Sequence, residues 1–76
     1  MRTLDLPGVS HEDAYLKCHK FINDNYGYDM FIITGHSDKM KKIVSEVAEK
    51  YRLQYLVGGV TGTHGVVRIF GGNTNE

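Results

Sequence analysis

Two helix-like segments alternate with short strand-like segments along this chain, and that alternation constrains its fold more than any other feature of the sequence. Residues 3–6 alternate in polarity and are followed by Pro7 and Gly8, which end a strand. Further strands are predicted at residues 29–34, 53–57 and 66–70. A crossover long enough to contain a helix joins parallel strands and is almost always right-handed. The first three strands should therefore run parallel, and the last should return antiparallel.

The two helices are predicted from a cap and from apolar periodicity. Ser10 and Asp13 form a variant of the capping box that begins the first helix, and residues 25–27 end it. The second helix covers about residues 38–51, and its apolar side chains follow the i, i+3, i+4 spacing of an amphipathic helix. The sequence therefore predicts an α/β two-layer sandwich of order βαβαββ, with a mixed four-stranded sheet and both helices on one face.

Length and composition limit the chain to one small domain. We expect this domain to span residues 1–76, with a core over about residues 3–70 and a flexible tail over residues 71–76. The single cysteine, Cys18, excludes an internal disulfide and belongs to the apolar stripe of the first helix. No apolar run is long enough to span a bilayer, and no secretory signal segment is evident. We expect a soluble, cytoplasmic protein with no membrane partner.

Charge is balanced over the whole chain, because nine Lys and Arg residues match nine Asp and Glu residues. An anion site must then be local. The segments that leave the three parallel strands should meet at the carboxyl edge of the sheet, where open α/β sheets bind ligands. They carry Pro7, His36 and His64, and His11 begins the first helix nearby.

A phosphate group is the ligand that this edge fits best. The turn at Gly35 and Ser37 leads into a helix, whose free N–H groups attract anions, and Lys39 and Lys42 follow. The glycine-rich segment 58–65 adds two more candidate phosphate-binding residues, Gly59 and Gly65. The alternative is that the glycine serves the turn alone and that the lysines form a solvated helix face.

The second face of the sheet should be open, because both helices cover the first. Side-chain alternation assigns five residues to it: Asp5, Gln54, Leu56, Arg68 and Phe70. Asp5 and Arg68 have two interpretations. They form a surface ion pair, or they are a catalytic carboxylate and a phosphate contact.

Three motifs in order resemble those of the Smr (small MutS-related) domain. Leu-Asp-Leu-Pro-Gly at residues 4–8, followed by an acidic pair and Ala14, resembles its Leu-Asp-x-His-Gly opening. Residues 32–35 resemble its second signature, an apolar strand that ends in Thr-Gly-x-Gly, and the glycines before residues 66–69 resemble its third. The resemblance covers about residues 3–70. It implies the fold of the C-terminal domain of translation initiation factor 3 and endonuclease activity that nicks DNA or cuts mRNA on stalled ribosomes.

The sequence departs from this pattern at the residue expected to move a proton. Pro7 stands in place of the signature His, and its side chain can neither donate nor accept a proton. Ser37 replaces the second Gly of Thr-Gly-x-Gly. We expect phosphodiester cleavage, with RNA favoured over DNA as substrate. Asp5 would activate the nucleophile while His36 and His64 share proton transfer. No cofactor is expected, and a divalent metal held by these three residues is the alternative.

Two other functions stay open from the sequence. The domain could be a catalytically inactive module that binds nucleic acid or a ribosome, which the loss of the signature His favours. It could instead be a protein-interaction adaptor or inhibitor that uses the open sheet face, with Leu56 and Phe70 as anchors. The sequence does not predict the oligomeric state.

Overall fold

The computed structural model describes residues 2–58 and 65–71, and its elements follow the order βαβαββ. They are β1 (Arg2–Asp5), α1 (His11–Asp24), β2 (Met30–Ile33), α2 (Asp38–Lys50), β3 (Tyr55–Val57) and β4 (Val66–Ile69). The strands form one sheet in the order β1-β2-β4-β3. Strand β1 is parallel to β2, whereas β4 is antiparallel to both of its neighbours. The predicted α/β fold with a mixed sheet is confirmed.

The core lies between the sheet and the two helices. Buried side chains alternate along the strands, so that one face of the sheet is covered and the other is open. The fully buried side chains include Leu6, Ile22, Met30, Ile32, Val44, Val47, Val67 and Ile69. Cys18 is buried among them, and burial raises the pKa of its thiol to about 12. The thiol is therefore a core group with little thiolate at neutral pH.

Both helices begin at a serine cap. The hydroxyl oxygens of Ser10 and Ser37 accept hydrogen bonds from the backbone N–H groups of Asp13 and Met40, at 3.2 and 3.1 Å. None of the helices within residues 2–58 and 65–71 is long and apolar enough to cross a membrane.

The end of α2 explains why β3 is shorter than predicted. Arg52 has a φ of 58°, its N–H donates to the Glu49 carbonyl oxygen, and the Leu53 N–H donates to the Ala48 carbonyl oxygen. This is the Schellman arrangement, and it turns the buried Leu53 side chain back toward the helix. Residue 53 therefore belongs to the helix cap, and β3 begins at Tyr55.

Candidate functional site

Three segments meet at one edge of the sheet, which we name the glycine edge and define by Pro7, Gly35 and Gly65. The Gly65 carbonyl oxygen accepts from the N–H groups of Thr34 and Gly35, at 2.7 and 3.1 Å. A Cβ on Gly65 would lie 3.0 Å from the Gly35 carbonyl oxygen, and a Cβ on Gly35 would lie 3.8 Å from Cγ of Pro7. The predicted meeting of these segments is confirmed for their described parts.

Pro7 is held at this edge by a tight turn. The Val9 N–H donates to the Leu6 carbonyl oxygen at 2.9 Å, and Gly8 has a φ of 85°. Because proline fixes φ near −65° and the next residue has a positive φ, Leu6 to Val9 form a type II turn. This turn therefore presents an exposed pyrrolidine ring with no acid–base group.

The two predicted catalytic residues within the described chain lie at the ends of neighbouring parallel strands. Asp5 is the last residue of β1, is exposed, and is paired in register with Ile33. His36 follows Ile33 by three residues and is also exposed. The strand register thus places these two residues at the same edge of the sheet. His64, the third predicted catalytic residue, and Gly59 lie outside the described residues.

The predicted phosphate-binding residues of α2 occupy its first turns. Ser37 is the N-cap, and its half-buried hydroxyl oxygen already accepts from Met40 N–H. Lys39 and Lys42 are exposed and three residues apart, so they lie on neighbouring positions of one helix face. Two ammonium groups therefore flank the helix terminus that follows the glycine edge.

Arg68 has a different partner from the one that the sequence suggested. Its Nη2 donates to Oδ2 of Asp29 at 2.9 Å, and its guanidinium carbon lies 5.6 and 4.7 Å from the ring centroids of Phe31 and Phe70. The interpretation of Asp5 and Arg68 as an ion pair is wrong, because β2 lies between their strands in the sheet. As a phosphate contact, Arg68 offers only a partly free guanidinium, with its side chain 26% exposed.

Phe31 and Asp29 are the partners of Arg68 that the sequence did not indicate. The apolar segment 29–34 predicts an interior strand, and none of its residues was among those assigned to the open face, where Phe31 and Ile33 lie half-buried. Asp29 precedes the strand, and its second carboxylate oxygen accepts from Gly71 N–H at 2.9 Å. The pairing of Phe31 with Arg68 between β2 and β4 brings the Arg68 side chain close to Phe31 and Asp29, and the sequence does not predict this register.

The Asp29 carboxylate makes stability depend on acid pH. The hydrogen bond from Arg68 lowers the pKa of Asp29, and the one from Gly71 N–H lowers it further. The charged carboxylate therefore stabilises the fold above the unfolded pKa of about 3.9, and this contribution is lost as the pH falls through the lower folded pKa. The free energy of unfolding should fall between pH 6 and pH 2.5, and we expect it to fall less in Asp29→Asn than in the wild type. The difference should be at most about 1 kcal/mol, because the pair is partly solvated.

Urea unfolding at the two pH values measures this difference. Asp24→Asn is the control, since Asp24 is an exposed carboxylate whose salt bridge with Lys20 lies on the surface of α1. Equal acid sensitivity of the wild type and Asp29→Asn would contradict the stabilising role of the Asp29 carboxylate.

The remaining chemistry-bearing side chains lie away from the glycine edge or form no cluster. His19 is half-buried between the helices, with its ring nitrogens 3.2 Å from the hydroxyl oxygens of Tyr15 and Tyr51. No group of three or more His, Cys, Asp and Glu side chains in the described part of the chain could hold a metal ion.

Comparison with protein-family models, with curated proteins and with solved structures finds no match to this chain. Its function has to be argued from the residues of the glycine edge and of the open sheet face.

Proposed function

We propose that this domain binds an RNA strand at the glycine edge and cleaves a phosphodiester bond there, as a divergent relative of the Smr domain. One observation carries the proposal. At the carboxyl edge of the sheet the backbones of Gly35 and Gly65 approach each other closely and the Pro7 ring lies beside Gly35, at the edge that also carries the exposed residues Asp5 and His36. Carboxyl edges of open α/β sheets are the usual position of ligand sites.

The geometry of the edge suits a phosphate group. Gly35 is only half-buried and has no side chain, which allows close approach of a sugar–phosphate chain to its backbone. Gly65 is buried against the Gly35 backbone and fixes the position of that turn. Lys39 and Lys42 supply positive charge near the N-terminus of α2, whose dipole has the same sign. These charges are local, since the chain has no net charge. RNA should therefore bind only weakly to the rest of the surface, and its binding at the glycine edge should weaken as the salt concentration rises.

The chemistry would be general acid–base catalysis of phosphoryl transfer from the 5′-oxygen to the 2′-oxygen. The Asp5 carboxylate takes the proton of the attacking 2′-hydroxyl, whose oxygen then forms a bond to phosphorus. The bond from phosphorus to the 5′-oxygen breaks, and that oxygen takes a proton from the imidazolium of His36. His64 would share this transfer. RNA is favoured as substrate because it carries the attacking hydroxyl itself.

We expect Asp5→Asn to lower the rate of RNA cleavage by about 100-fold or more, which is the usual effect of losing a general acid or base. His36→Gln should have a similar effect. The measurement is single-turnover cleavage of an end-labelled single-stranded RNA by purified protein, with and without EDTA. Asp24→Asn is the matched control, because it removes an exposed carboxylate at the far end of α1 and should leave the rate unchanged.

The same preparations distinguish the other functions. Salt-sensitive binding of the RNA without cleavage would replace the enzyme by an inactive binding module. Cleavage that Asp5→Asn retains would exclude Asp5 as the base. If the protein neither binds nor cleaves the RNA, the proposal as a whole is contradicted.

A further inference from the structure

A groove runs between β1 and α1, on the helix-covered side of the sheet and away from the glycine edge. Leu4 and Phe21 form its apolar lining, and Lys17, Lys20 and Asp24 complete it. Its volume is about 240 Å³. Sites for small-molecule ligands usually occupy about 300–1,000 Å³, so this groove suits one or two side chains better than a whole small molecule.

The strand beside this groove has a free edge. Strand β1 is the outermost strand of the described sheet and pairs only with β2. The Leu6 N–H donates to the Ile33 carbonyl oxygen, so the even-numbered residues of β1 turn their backbone groups toward β2. The N–H and C=O groups of Thr3 and Asp5 therefore point outward, where no described strand pairs with them.

Charge along the groove is unequal. Lys20 forms a salt bridge with Asp24 at 3.0 Å, which neutralises both groups. Lys17 is exposed and has no ion-pair partner among the described residues. The groove therefore presents one uncompensated ammonium group beside the apolar surface of Leu4 and Phe21, and a partner that matches it carries an apolar and an acidic side chain.

We propose that this surface binds an extended peptide, which pairs with β1 as a fifth strand and carries an apolar residue and, two residues away, an acidic one. In an antiparallel pairing, the peptide residues opposite Thr3 and Asp5 exchange main-chain hydrogen bonds with them. The residue between them stands opposite Leu4 and places its side chain in the groove. A residue two positions further along has the same orientation and meets Lys17. This interaction is independent of the proposed cleavage.

The experiment selects peptides from a random heptapeptide library displayed on phage, using the purified full chain as target. We expect a consensus of apolar–any–acidic residues. A fluorescein-labelled consensus peptide is then titrated by fluorescence anisotropy against Thr3→Pro and Thr3→Val. Thr3→Pro removes an outward N–H that makes no bond within the sheet and should weaken binding at least tenfold. Thr3→Val keeps that N–H and should bind as the wild type does.

A charge exchange provides a second test that does not depend on how Thr3→Pro folds. Lys17→Glu should weaken binding of the acidic peptide at least fivefold and should prefer the same peptide with Lys in place of the acid. Failure to select any consensus would overturn the proposal, as would equal affinity of Thr3→Pro and Thr3→Val. A dimer in analytical ultracentrifugation that Thr3→Pro abolishes would instead assign this edge to a second copy of the chain.

Discussion

Replacing Pro7 by His should raise the rate of RNA cleavage by about 100-fold. The substitution places an imidazole two residues after Asp5 and beside Gly35, at the point where the proposed site has no acid–base group. A positioned general acid or base contributes about 10²- to 10⁴-fold, and the lower figure allows for an exposed turn that does not fix the new ring. Because an imidazole titrates near pH 6.5, the gain should depend on pH between 5 and 8.

Two variants separate this gain from a change in the turn. Pro7→Ala loses the proline ring without adding an imidazole, so its cleavage rate should stay within about twofold of the wild type. Both substitutions should lower the free energy of unfolding by about 0.4–1 kcal/mol, since the unfolded chain gains freedom without proline. Adding Asp5→Asn to Pro7→His should remove the gain. An unchanged rate in Pro7→His would mean that the edge does not hold a substrate in reach of this position.

The fold follows from the sequence because local rules agree over most of the chain. The cap at Ser10 predicts the start of α1, and the spacing of apolar residues along the second segment predicts α2. Crossovers that contain helices then require parallel strands, and the carboxyl ends of those strands bring Pro7 and Gly35 to one edge. The structure confirms this edge from hydrogen bonds to Gly65, a residue far from both in the sequence.

The contacts between side chains on the open face depend on the order and register of the strands. A local sequence pattern carries no information on either. Alternation correctly assigned Asp5 and Arg68 to one face, but it carries no information on which strand lies between theirs. Because the order is β1-β2-β4-β3, Arg68 lies beside Phe31 of β2 and reaches Asp29. Because β2 is apolar throughout, its sequence has no polar alternation that would show which of its residues lie on the open face. A strand between two others is apolar for pairing and packing reasons that do not require burial of both faces.

At the glycine edge, overlap of an added methyl group with neighbouring backbone should lower the free energy of unfolding more than backbone strain does. Alanine substitution of Gly65 tests this. Gly65 and Gly58 both have left-handed φ values, of 81° and 96°. A Cβ on Gly58 meets nothing within 4 Å, whereas a Cβ on Gly65 would lie 3.0–3.1 Å from three backbone atoms of Gly35. Backbone cannot move aside as the end of a flexible side chain does. The two alanine substitutions thus share the strain and differ in the overlap.

We expect Gly58→Ala to lower the free energy of unfolding by about 1–2 kcal/mol, the usual strain of a left-handed residue with a Cβ. Gly65→Ala should lower it by about 2–5 kcal/mol, because the overlap with Gly35 adds about 1–3 kcal/mol to the same strain. Urea unfolding of both variants at one pH measures the difference. Equal losses would show that the edge can yield at no cost. Such an edge could not hold Gly35 in the fixed position that binding a phosphate group requires, so this result would also weaken the proposed function.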